Sequence, residues 1–84
     1  MAALAKLSDE AWQLAVLSRL LILHPERLSP GELRREMVGG SLDFALVDAL
    51  DRAVRDLTAT GLLREDGDSI VPTRAAQRFY ALHG

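Results

Sequence analysis

Few side chains in this sequence could do covalent chemistry. There are two histidines, His24 and His83, and no cysteine. Without cysteine there is no thiolate nucleophile, no disulfide and no thiolate zinc site. One histidine sits at a helix end and the other at the terminus. His24 before Pro25 reads as a helix-terminating cation, favoured at the negative end of the helix dipole. No G-x-x-x-x-G-K-[ST] or G-x-G-x-x-G phosphate loop occurs, and Gly39-Gly40 is a turn. The acids recur at helix-surface spacing rather than converging. The expectation is therefore no enzyme, no metal site and no cofactor.

What remains is recognition by charge. Nine of the ten basic residues are arginine. Guanidinium forks suit phosphate oxygens. The candidate nucleic-acid contacts are Arg34, Arg35, Arg52, Arg55 and Arg64, with Ser41 at the start of the third helix. The overall balance opposes them. Twelve acids leave a net charge of −2, whereas nucleic-acid-binding domains usually carry a basic surplus or a basic face.

The elements that must position these residues fit one domain, 1–84, with a lead-in over 1–7 in which Leu4 and Leu7 are apolar. Hydrophobic residues make up 49% and charged residues 26%, as expected of a globular chain. The start has no charged segment followed by an apolar core, and the apolar run over 11–23 is too short and too interrupted to span a bilayer. A cytoplasmic location without membrane contact is expected.

Ser8 is a good N-cap for helix one, expected over 9–24, where Pro25 stops it. Trp12, Val16, Leu20 and Leu23 form one face of it. Leu14, Leu17 and Leu21 form a second. A helix apolar nearly all round is either buried or paired with another chain. The pattern fits both a homodimer through Leu14, Leu17 and Leu21 and burial in a trihelical core. Ser29-Pro30-Gly31-Glu32 is a capping box that opens helix two, expected over 30–38. Ser41 or Asp43 caps helix three, expected to run to about residue 60 with Leu46, Leu50, Ala53, Val54 and Leu57 as its core stripe.

The stretch 57–77 organises the rest. Gly61 tolerates the positive φ of a helix stop. Residues 62–64 run extended, Glu65-Asp66-Gly67-Asp68 is a turn with Asp-Gly at its centre, and 69–71 return. Pro72 ends the strand and Thr73 caps a last helix. In that helix Ala75, Ala76, Phe79, Tyr80 and Leu82 are the packing candidates.

Three pieces carry a resemblance. They are S-P-G-E-L at helix two, the V-x-x-L-x-x-x-G-L-L of Val54, Leu57, Gly61, Leu62 and Leu63, and the D-G turn. Over about residues 8–82 the order helix, helix, turn, helix, hairpin, helix resembles the winged helix-turn-helix superfamily, in particular small bacterial and archaeal regulators. The resemblance implies a mostly α fold: a three-helix core, a two-stranded β-hairpin wing and a C-terminal helix. It further implies a dimeric DNA-binding transcription regulator, with helix three in the major groove of double-stranded DNA and the wing tip on the backbone.

The residues on those elements point the other way. The outward face of helix three offers Asp43, Phe44, Ala45, Asp48, Asp51, Arg52, Arg55 and Asp56. The wing sets Arg64 against Glu65, Asp66 and Asp68. Phosphate contacts come from cations or neutral donors, not from carboxylates. Pairing of Asp48 with Arg52 and of Asp51 with Arg55, four apart, would neutralise the helix at about 0.2–0.5 kcal/mol each. Phe44 either packs back on Val38 or Leu42 or serves as a protein contact. Arg27, Arg34, Arg35, Arg74 and Arg78 form a second positive patch only if helices two and four adjoin. The second reading is thus a winged-helix protein–protein interaction module with little or no DNA affinity.

Overall fold

A computed structural model describes residues 8–40 and 43–83, and of residues 80, 82 and 83 the backbone only. The elements are α1 (Asp9–Leu23), α2 (Pro30–Val38), α3 (Phe44–Ala59), β1 (Leu63–Asp66), β2 (Ser69–Pro72) and α4 (Arg74–His83). The lead-in leucines, Ser41 and Leu42, and the side chains of Tyr80 and Leu82 lie outside the described residues. The described chain is mostly helical with one antiparallel hairpin.

Each boundary has a local cause. Ser8 Oγ accepts from the Ala11 N–H at 3.1 Å and starts α1. Ser29 Oγ accepts from the Glu32 N–H at 3.1 Å, and the Glu32 carboxylate accepts from the Ser29 N–H at 2.9 Å, so both bonds of the capping box form. Hydrogen bonding to the carboxyl from the Ser29 backbone N–H, and next from the Ser29 side chain, holds the exposed Glu32 carboxyl below its ordinary pKa. Asp43 caps α3 through the Ala45 N–H at 2.9 Å. The end of α3 is a Schellman motif. Leu62 N–H donates to Leu57 C=O at 2.9 Å and Gly61 N–H to Thr58 C=O at 3.1 Å, with Gly61 at φ 83°. Thr73 then fixes two elements at once. Its hydroxyl donates to Gly61 C=O at 2.7 Å and accepts from the Ala76 N–H at the start of α4.

The core is one cluster. Trp12, Val16, Leu17 and Leu20 of α1 meet Leu33 and Val38 of α2, and Leu46, Leu50, Ala53 and Leu57 of α3. Leu63, Ile70 and Ala76 close it from the hairpin and α4. The α1–α3 contact is the largest between helices.

Four expectations need correction. Leu17 is only 8% exposed and belongs to the core, not to an outward face; Ile22, 65% exposed, takes its place beside Leu14. The turn is displaced by one residue. Asp66 pairs with Ser69 inside the ladder, so Gly67 and Asp68 are the loop. Gly67 takes φ 63° while Asp68 stays at negative φ, the two-residue turn with glycine first rather than Asp-Gly at the centre. In α4, Ala76 is buried, whereas Ala75 and Phe79 are exposed. Finally, the stretch between α1 and α2 is more than a loop. Leu28 bridges Ile70, whose N–H donates to Leu28 C=O at 2.8 Å, so β2 lies between β1 and Leu28.

Candidate functional site

The outward surface of α3 and the adjoining hairpin are where the sequence concentrates its candidates. Helical geometry divides the charges of α3 into three rows. Arg52 and Asp56 turn toward α1. Arg52 Nη2 lies 3.3 Å from Asp9 Oδ1, and Gln13 Nε2 donates to Asp56 Oδ2 at 3.4 Å. Asp51 turns toward α2, where Arg34 Nη2 stands 3.7 Å from its Oδ1. Phe44, Asp48 and Arg55 remain on the crest.

The expected pairs along the helix give way to pairs between elements. Packing of α1, α2 and α3 sets Asp9 and Arg34 beside α3 in fixed positions, so Arg52 and Asp51 reach them rather than their own i ± 4 neighbours. One carboxylate of the hairpin is paired in the same manner. Asp66 accepts from Arg27 of the α1–α2 connection and lies 3.8 Å from Arg64.

The nucleic-acid candidates therefore do not assemble into one basic surface. Arg34, Arg52 and Arg64 each face a carboxylate of the same chain. Arg35 stands close enough to Glu32 to contribute to its lowered pKa. Ser41 lies outside the described residues. Arg55 alone among the candidates sits on the crest of α3 with no ion pair among the described residues. The second patch is not built by packing either. Helix α2 packs on α3, while α4, with Arg74 and Arg78, packs on α1 and β2.

Phe44 is the feature that the sequence placed least well. It is 80% exposed, the most exposed large apolar side chain described, and it does not fold back onto the core. Asp48 and Asp51 follow it on the same side of the helix. Beside the crest runs a groove of about 570 Å³ with Leu33, Leu50, Val54 and Ile70 on its floor and Arg55 and Glu65 at its rim. Its shape accepts an apolar side chain, and its rim offers both signs of charge. Among the described residues no group of three His, Cys, Asp or Glu side chains is gathered as a metal site requires. No described helix is long and apolar enough to cross a membrane.

No protein-family model matches the chain, and comparison with curated proteins and with solved structures returns no match.

Proposed function

We propose that the chain is a winged-helix domain that binds another protein rather than DNA. The element order, with Leu28 as a short first strand and the order Leu28–β2–β1 across the sheet, supports the winged-helix reading. The observation that carries the function is Phe44, 80% exposed, on a crest shared with Asp48 and Arg55. An aromatic side chain standing in water beside a charged rim is the usual composition of a protein-binding hot spot.

Charge argues against DNA on the same surface. Four carboxylates face two guanidinium groups along α3, and three face one along the hairpin. Binding phosphate there would require arginines to leave their carboxylate partners and would place those carboxylates against the phosphates. Each exposed pair is worth only about 0–1 kcal/mol, so the pairs themselves are no barrier. The obstacle is the net negative surface, which supplies none of the counterion release that drives binding to DNA.

The DNA-regulator reading keeps one observation in its favour: Arg55, with no ion pair among the described residues, on the helix that would enter the major groove. The test compares the wild-type chain with Phe44→Asp as immobilised baits. A protein held by the first and lost from the second is the expected outcome. Retention of mixed-sequence duplex by both baits would reverse the assignment.

A further inference from the structure

The groove beside the α3 crest has a charge polarity that follows from the register of the hairpin. Glu65 lies opposite Ile70 in the ladder, so both side chains stand on the same face of the hairpin. That face is turned to α3, where Leu50, half-buried Val54 and Ile70 make the apolar floor of the groove, about 570 Å³ in volume. Arg64 and Asp66, one residue to either side of Glu65, alternate to the far face. Asp66 is matched by Arg64 and Arg27, and neither arginine serves Glu65. A second depression of about 360 Å³ continues the groove past Pro30, Glu65 and Ile70 to Asp68 at the hairpin tip. Among the described residues neither Glu65 nor Asp68 has an ion pair. On the opposite wall Asp51 is held by Arg34, and Arg55 stands one turn further along α3. The groove is thus apolar along its floor, negative at the hairpin and positive at Arg55.

We propose that this groove seats a cationic amphipathic segment of another protein, with an apolar anchor side chain over Val54 and Ile70 and a lysine or arginine over Glu65 and Asp68. The inference rests on the reading of α3 as a protein-binding element and names the chemistry of the partner. Two carboxylates without a cation, beside an apolar floor, are complemented by a segment that is both apolar and basic. A wholly apolar segment would cover those carboxylates and leave them unpaired, which costs free energy. An acidic segment is repelled by them. Small-molecule sites orient their ligand with polar groups set inside the pocket. Here no described buried side chain is polar or charged, and the charged groups of the groove stand on its rim, as at a protein interface. Arg55 fixes the orientation. The cation of the segment lies at the hairpin end, because at the α3 wall it would meet the Arg55 guanidinium. Salt screens the charged half of the contact and leaves the apolar half, so affinity falls with salt without vanishing.

The probe is a random peptide library displayed on phage and selected at low salt on the immobilised wild-type chain. Enriched sequences are expected to carry Leu, Ile, Val or Phe with Lys or Arg a few positions away. A labelled synthetic copy of an enriched sequence is then titrated with the wild type and three variants, read by fluorescence anisotropy. Thr58→Trp fills the groove from an exposed position. Glu65→Lys combined with Asp68→Lys reverses the hairpin end. Phe44→Asp changes only the far end of the α3 crest, about 15 Å from Val54 along the axis. All four positions are exposed, so the fold is kept, as circular dichroism checks. The first two variants should each weaken binding at least about tenfold, and Phe44→Asp should leave it unchanged. Enriched sequences without basic residues, or equal binding by the charge-reversed variant, would overturn the cationic class of partner. Binding that survives Thr58→Trp, or a library with no enrichment over bare matrix, would overturn the groove. Binding lost only with Phe44→Asp would overturn the groove and keep α3 as a protein-binding element, whereas mixed-sequence duplex retained by both wild type and Phe44→Asp strikes that reading itself. Self-association of the wild type in sedimentation equilibrium that Thr58→Trp abolishes would give the groove to a second copy instead.

Discussion

Ser29 and Glu32 show how two side chains decide where a helix begins. Replacing Ser29 by alanine removes the acceptor for the Glu32 N–H. The expected loss is about 0.5–2 kcal/mol, read as a lower denaturant midpoint at unchanged slope. The reciprocal bond, from the Ser29 N–H to the Glu32 carboxylate, depends on pH. Its folded pKa is lowered by the Ser29 hydrogen bonds. A carboxyl with a depressed folded pKa stabilises the fold above its unfolded value, and that stability is lost as pH falls through the folded value. Glu32→Gln should therefore melt below wild type at neutral pH, and the two curves should converge in acid below the carboxylate range. Parallel curves at all pH values would show that the cap acts through shape alone. In the core, Trp12 is 1% exposed. Trp12→Ala should cost about 3–5 kcal/mol, enough to unfold much of a domain this small; calorimetry of the variant checks it.

At the scale of elements, the sequence makes some features legible and leaves others hidden, for identifiable reasons. The capping box, the Gly39 and Gly61 stops and the core stripe of α3 are local signals, and each appears where its residues place it. The turn register is not local in that sense. Asp66-Gly67 and Gly67-Asp68 both support a two-residue turn, and Asp66 is drawn into the ladder opposite Ser69, where its carboxylate meets Arg27 and Arg64. Leu28 was out of reach because one bridging residue has no periodicity. Leu17 and Ile22 exchanged roles because nearly every position of α1 is apolar, so its pattern does not reveal which side the other helices cover. The ion pairs of α3 depend on where α1 and α2 dock, which spacing within α3 cannot show. Two substitutions test these elements. Gly67→Ala should cost about 1–3 kcal/mol, because the positive φ at that position strains any residue with a Cβ; equal stability would mean the turn shifts to Asp-Gly. Asp48→Arg combined with Asp51→Arg reverses the sign of the outward surface of α3 and releases Arg34. This pair should create duplex binding that salt abolishes, if charge is what bars DNA from the helix. No gain would place the bar in the shape of the surface instead.

The whole molecule combines an acidic net charge with exposed large apolar side chains on three elements: Phe44 on α3, Leu14 and Ile22 on α1, and Phe79 on α4. Arg34, Arg52 and Arg64, which a DNA-binding reading needs, each face a carboxylate of the same chain, so the surface facing a ligand is mixed in sign and negative in sum. The proposed function as a protein-binding domain would rest on apolar contact, with charge setting the choice of partner. The most direct measurement is fluorescence anisotropy of a labelled mixed-sequence duplex, titrated with the wild-type chain from low to physiological salt. The expected result is an unbound duplex even at low salt. Binding at low salt that falls steeply as salt rises would mean that phosphates are being neutralised, and would contradict the assignment of α3 to a protein partner.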